Sequence, residues 1–400
     1  MKRAIPVTVL TGYLGSGKTT LVNRLLADPQ GMRIAVIVND IGEVNIDAAL
    51  IAQKGHVSVA DDSLVALTNG CICCSLRTDL ITQIVRLINA GCFDYILIEA
   101  SGICEPLPIA QSISMIDGTL KGKRLPALCR LDAIVAVVDA YRLLTEFSGG
   151  ETLLHPDEED IAGLLVEQIE FCNLVLLNKT DLLSEEETAK VEAIIRALQP
   201  SAQILKTSFA DVPSKDILNT RLFDFEKTFL SAGWAQTMEH EKDTEEGHHN
   251  HGHEHHDHTD HEHHDHSCCD HEHEEHHHHD EYGISTFVYY RRQPFDDRKL
   301  EEWVNRFPPS VIRCKGLVWI AGEDDISFLL EQAGRSVSVQ PFSRWLATAS
   351  SRERKETWKR DPAARDNWDE QVGDRMIKLV FIGAGMDEKK ICVSLDKCLA

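Results

Sequence analysis

The chain has 400 residues, enough for two or three domains with a sizeable core. Its 43% hydrophobic and 26% charged residues are the balance of an ordinary globular protein. A formal net charge of −23 argues against general nucleic-acid binding, in which Lys and Arg neutralise phosphates, and against docking on an anionic membrane surface. The charge is concentrated, since residues 239–281 hold 16 of the 64 acids, a single lysine and 18 of the 20 histidines.

No run approaches the ~20 apolar residues that span a bilayer. Met1-Lys2-Arg3 has the charge of a secretion signal, but the loop beginning at Gly12 interrupts the apolar run that follows. A cytoplasmic location is expected. The 12 cysteines then read as ligands, nucleophiles or core residues rather than a disulfide framework. The isolated Cys92, Cys104, Cys129, Cys172 and Cys314 are expected to be buried and inert.

In chain order, residues 5–10 predict a strand, followed by a glycine loop and a helix over 18–27. Residues 34–38, 95–98, 133–138 and 174–177 are further strands, aliphatic throughout, as in a sheet buried on both faces. Helical patterns at 80–88 and 161–170 separate them, and Ser184 followed by three glutamates caps another helix. The reading is an α/β P-loop NTPase domain with a mostly parallel sheet over residues 1–222. Residues 238–282 lack apolar periodicity and predict a disordered His/Asp/Glu-rich linker. Beyond it, strands at 285–290, 311–320, 337–339 and 376–382, with helices at 297–307 and 388–399, predict a small α+β domain over 283–400. Residues 350–368 are charged and irregular, and give no clear pattern.

Gly12-Tyr13-Leu14-Gly15-Ser16-Gly17-Lys18-Thr19 satisfies GxxxxGK[ST] between a strand and a helix. Backbone N–H groups of such a loop cradle phosphates, with Gly12, Gly15, Ser16 and Gly17 around them. Lys18 reaches the β/γ-phosphates and Thr19 ligates Mg²⁺. Asn178-Lys179-Thr180-Asp181 ends a later strand, and the Asp181 carboxylate matches the paired N1–H and N2–H₂ donors of guanine, which adenine lacks. Glu99 ends another strand as the acid near the metal, and Gly102 follows where a backbone amide meets a γ-phosphate. Asp40 and Glu43 fall where a switch segment belongs. No residue stands out for orienting the attacking water, so slow intrinsic GTP hydrolysis is expected.

Cys71, Cys73 and Cys74 place three thiols within four residues ahead of a helix, a set suited to Zn²⁺. The fourth ligand is open between Glu43, Asp47, water and a second protomer. The histidine tract adds further borderline donors, among them His253, His255, His256, His263, His264, Cys268 and Cys269, which suit Zn, Ni, Co and Cu alike. It reads as an ion reservoir, or as an inert linker.

The P-loop, GCICC, the strand-end glutamate and NKxD, in this order, resemble the CobW-type GTPases, a metallochaperone group, and most nearly its bacterial zinc-limitation subgroup. The resemblance runs over nearly the whole chain, more softly in its C-terminal part. It implies GTP/GDP and Mg at the loop, transferable Zn at the three thiols, delivery to client apo-metalloproteins, and nucleotide-dependent homodimerisation. It also implies phosphate binding by Thr20, while the charge balance already argues against nucleic-acid and membrane partners. Ala100 departs from the pattern, where relatives carry a hydroxyl; Ser101 is beside it. A cobalt or nickel chaperone, a passive zinc buffer and a P-loop kinase are the competing readings.

Overall fold

A computed structural model describes residues 4–39, 64–67, 76–116, 127–147, 161–224, 227–228, 232–235, 283–334, 336–360, 362–366 and 368–400. Seven strands, β1 (Ile5–Thr11), β2 (Ile34–Asn39), β3 (Leu64–Leu67), β4 (Tyr95–Glu99), β5 (Cys129–Asp139), β6 (Leu174–Asn178) and β7 (Gln203–Lys206), form one sheet. Their order is β3-β2-β4-β1-β5-β6-β7. Every pairing in it is parallel. All five positions of β4, and of β6, are buried, because helices cover both faces. On one face, Leu21, Val22 and Leu25 of α1 (Lys18–Ala27) pack on Leu10, Val36 and Leu97. On the other, α2 (Leu76–Ala90), α3 (Pro106–Ser114), α5 (Ile161–Glu170) and α6 (Glu185–Leu198) bury Ile84, Ile109, Val166 and Ile195 against Val9, Ile37 and Ile98. The short α4 (Ala140–Phe147) follows β5 directly.

The five expected strands lie within β1, β2, β4, β5 and β6. β3 and β7 went unread in the sequence: each has four residues at a sheet edge, and β7 is exposed or half-buried throughout. The capping of α6 is as expected. The Glu187 N–H donates to Ser184 Oγ at 3.2 Å, and the Ser184 N–H donates to the Glu187 carboxylate at 2.8 Å.

A second sheet, of antiparallel strands, comprises β8 (Ile284–Arg291), β9 (Val311–Val318), β10 (Ile326–Ala333), β11 (Ser336–Arg344) and β12 (Ile377–Ala384), ordered β11-β10-β9-β12-β8. One face packs with α7 (Asp297–Val304) and α10 (Glu388–Asp396) around Phe381, which stacks on Phe287 at 4.9 Å. The other face contributes Ile284, Ile312, Ala333, Val380 and Ile382 to the helical core of the first sheet, so the two sheets share apolar burial. Residues 350–368, which showed no pattern, contain α8 (Ser351–Arg360) and α9 (Ala363–Asp366). α8 is charged nearly all round and holds by an edge-on contact of Trp358 with Trp368, so no apolar stripe marks it in sequence.

Cys104, Cys129, Cys172 and Cys314 are buried as expected, and burial pushes the Cys172 thiol up to about 12. Cys92 corrects the expectation: it is exposed in the turn between α2 and β4. Among the described residues no helix is long and apolar enough to cross a membrane.

Candidate functional site

In a parallel sheet all strands end on one edge, and ligands bind outside those carboxyl ends. Register brings the site residues together there. Leu10 pairs with Glu99, so the phosphate loop leaves β1 beside the last residue of β4. Asp139, ending β5, pairs with Asn178, ending β6.

Gly17 takes φ 114° and begins α1 without a side-chain cap, and the first turn of α1 holds no acid. α6 is the contrast, with its serine cap and three glutamates. The positive end of the α1 dipole is thus left for another anion. A Cβ on Gly17 would lie 2.5 Å from Asn178 Nδ2, so this glycine lets the loop close onto the guanine motif. Ser16 Oγ is buried with no hydrogen-bond partner among the described residues, a donor fit for a phosphate oxygen. Lys18 Nζ donates to the carbonyls of Gly12 (2.6 Å) and Tyr13 (3.3 Å), folded back along the loop. Thr20 lies half-buried in the first turn of α1.

Thr19 Oγ1 donates to Glu99 Oε1 at 2.9 Å, across 80 residues of sequence. A hydroxyl and a buried carboxylate at this spacing are hard oxygen donors, a set that fits Mg²⁺. Bound there, the ion would offset charge on the phosphate oxygens. Gly102 packs on the loop so closely that a Cβ would meet the Leu14 N and Cδ2 at 2.8 Å. The segment after β4 therefore rests directly against the loop.

Asn178 braces the phosphate loop. Its Nδ2 donates to the Ser16 carbonyl at 2.8 Å, and its Oδ1 accepts from the Ala210 N–H at 2.9 Å. Lys179, at φ 63°, is ion-paired to Asp139 at 2.5 Å, which fixes its chain beside the end of β5. Asp181 sits exposed in the 3₁₀ turn Thr180–Leu182, its carboxylate available to a base.

Sequence reasoning missed three participants. Asp139 lies one residue past the strand read at 133–138. The 207–211 loop that braces Asn178 follows the unread strand β7. Gln168, buried on α5, donates its Nε2 to the Gly102 carbonyl at 3.1 Å, and a helical glutamine carries no sequence signal. Cys71, Cys73, Cys74, Glu43, Asp40, Asp47 and the histidine-tract ligands His253, His255, His256, His263, His264, Cys268 and Cys269 lie outside the described residues.

Two family descriptions match the chain: "CobW/HypB/UreG, nucleotide-binding domain" over residues 6–206, and "Cobalamin synthesis protein cobW C-terminal domain" over residues 284–399. A "Zinc-regulated GTPase metalloprotein activator 1" of Dictyostelium discoideum is 35% identical over 99% of this chain and 80% of its own length. A "Zinc chaperone CobW" of Pseudomonas aeruginosa is 32% identical over 52% of this chain and 58% of its own. A third relative, a "Zinc-regulated GTPase metalloprotein activator 1" of Schizosaccharomyces pombe, is 33% identical over 56% of this chain and 51% of its own. With the phosphate loop, the hydroxyl–carboxylate pair and the guanine motif assembled on one sheet edge, the chain belongs to the CobW/HypB/UreG family and is a P-loop GTPase.

Proposed function

We propose that the protein is a cytoplasmic zinc metallochaperone that binds Zn²⁺ through Cys71, Cys73 and Cys74 and passes it to client apo-metalloproteins under control of GTP hydrolysis. The zinc assignment draws on the relatives, two zinc-regulated GTPase activators and a zinc chaperone. The observation that carries the coupling is topological. β3 ends at Leu67 on the same carboxyl edge where β4 ends at Glu99, two strands away in the order β3-β2-β4. That separation is roughly 10 Å. β3 ends four residues before Cys71, and α2 starts at Leu76, two residues after Cys74. In this proposal a thiolate site formed between those two ends shares its loops with the phosphate site. Metal affinity then depends on which nucleotide is bound, as linkage requires.

In this reading Asp181 selects guanine, Lys18 and the α1 N-terminus hold the phosphates, and Thr19 with Glu99 holds Mg²⁺. Intrinsic turnover is slow until a client or a second copy of the chain completes the site. The histidine tract gathers ions and raises their local concentration near the thiols.

Calorimetric zinc titration of the full chain with a non-hydrolysable GTP analogue and with GDP tests the proposal. A difference of about fivefold or more in affinity, abolished by Cys71→Ser/Cys73→Ser/Cys74→Ser, is expected. Equal affinity in both states makes the protein a zinc buffer. Competition with Co²⁺ and Ni²⁺ in the same titration tests the choice of metal.

A further inference from the structure

The face of the C-terminal sheet turned towards α5 is apolar at one end and charged at the other. Arg313 on β9 is taken by Glu170, the last residue of α5, through bonds of 2.8 and 3.0 Å. Beyond this pair the two domains diverge around a cleft of about 470 Å³. Glu105 at the start of α3, Glu167 on α5, Glu331 on β10, Trp234, Leu317 and Phe342 line it.

Its charges do not balance. Lys315 is held by Glu331, and its ammonium lies 4.6 Å over the Trp234 ring. Arg313 is committed to Glu170. Glu105 and Glu167 have no ion-pair partner among the described residues. Burial, and next the neighbouring Glu105, push the Glu167 carboxyl up to about 7, with only a partial offset from the Arg313 charge. Trp234 Nε1–H is buried without an acceptor among the described residues, an unusual cost for an indole. Leu317 and the Phe342 ring, 61% exposed on the edge strand β11, extend the apolar wall outwards.

We propose that this cleft docks a partner-protein segment in which a lysine or arginine stands beside a large apolar residue. The cation sits between the Glu105 and Glu167 carboxylates, a segment backbone carbonyl accepts from Trp234 Nε1–H, and the apolar side chain covers Leu317 and Phe342. That the partner is a metal client rests on the function proposed above; the chemistry of the cleft does not. Its placement gives docking a consequence. Glu105 is three residues from Gly102, and Gln168, next to Glu167, holds the Gly102 carbonyl. An occupant therefore bears on the segment that faces the γ-phosphate.

The test uses the full chain and three N-acetylated, C-amidated heptapeptides: GSFKLSG, its charge-reversed control GSFELSG and its apolar-deleted control GSSKSSG. The chain carries 5-fluorotryptophan, and the Trp234 resonance is assigned with Trp234→Phe. GSFKLSG is expected to shift that resonance saturably, with each control at least about tenfold weaker. Glu105→Gln/Glu167→Gln is expected to weaken GSFKLSG about tenfold, and Phe342→Ser, at an exposed site that does not threaten folding, to weaken it separately. Absence of binding by GSFKLSG up to about 1 mM, equal binding of the three peptides, or no effect of the glutamate double variant overturns the proposal. Zinc affinity in the two nucleotide states, measured on the same samples, reports on the delivery function independently.

Discussion

Arg313 and Glu170 join the two domains through the most completely buried ion pair among the described residues, their side chains 4% and 0% exposed. Replacing Arg313 with Met keeps most of the side-chain volume and removes the guanidinium. Glu170 then keeps its place under α6, where its carbonyl accepts from Gln199 Nε2 at 2.6 Å, but its carboxylate loses both bonds from Arg313. The Gln332 carbonyl, which accepts from Arg313 Nη1 at 3.4 Å, loses that donor as well. Breaking a pair this deep costs about 3–5 kcal/mol, a large part of the stability of a typical domain. The double change Arg313→Met/Glu170→Leu removes both charges and leaves a packed apolar contact. It should cost less than about 1 kcal/mol, or stabilise. Urea unfolding of the wild type, both single variants and the double variant closes the cycle. A coupling energy of about 2 kcal/mol or more is expected. If Arg313→Met costs under about 1 kcal/mol, or the double variant loses the sum of the singles, the pair does not hold the domains as described.

Asp181→Asn removes the acceptor of two guanine donors from an exposed turn without disturbing the fold; GTP should compete against a labelled nucleotide about a hundredfold less well, and XTP better than GTP. Gly102→Ala puts a Cβ against Leu14 and forces the segment after β4 away from the loop, so single-turnover GTP hydrolysis should fall about tenfold or more while GDP affinity changes little. For Glu167 the sign follows from its raised pKa of about 7. The native chain holds the proton more tightly than the unfolded one, so stability falls as pH rises from the ordinary carboxylate range through 7. Glu167→Gln removes that fall and should gain about 1–2 kcal/mol over wild type at about pH 8, after allowance for solvent screening, and nearly nothing at about pH 5, by urea unfolding. An equal difference at both pH values would count against it.

The sheet was legible wherever strands are buried on both faces. Five mostly aliphatic runs sufficed to find β1, β2, β4, β5 and β6, because helices on both sides bury nearly every position. The edges were not legible, since β3 and β7 are short and β7 is partly solvated. At the site, Lys18, Thr19, Glu99, Asn178 and Asp181 were readable because backbone-dominated phosphate binding and base recognition force particular residues at particular offsets. Asp139 and Gln168 were not, because each acts through one tertiary contact that leaves no local pattern. The C-terminal sheet showed the same division. β12, buried at six of its eight positions, was found nearly in register, whereas β10 alternates half-buried and buried positions and was missed.

The helix α5 gives these pieces a common mechanical sense. Gln168 reaches one way to the Gly102 carbonyl, and Glu170, two residues on, reaches the other way to Arg313 on β9. Both side chains are buried in a packed core, where small displacements meet steep resistance. Under the function proposed above, a Gly102 segment that moves with the phosphate chain must either give up its bond from Gln168 or carry α5 with it. The first leaves a buried glutamine amide with one donor fewer satisfied; the second presses on a bidentate ion pair that tolerates little change in angle. Glu167 immediately precedes Gln168 and lines the cleft where the domains part. Motion of α5 relative to α3 changes the spacing between Glu167 and Glu105, and under the docking proposed above a cation bound between them resists that motion with the same free energy by which the nucleotide state alters its binding.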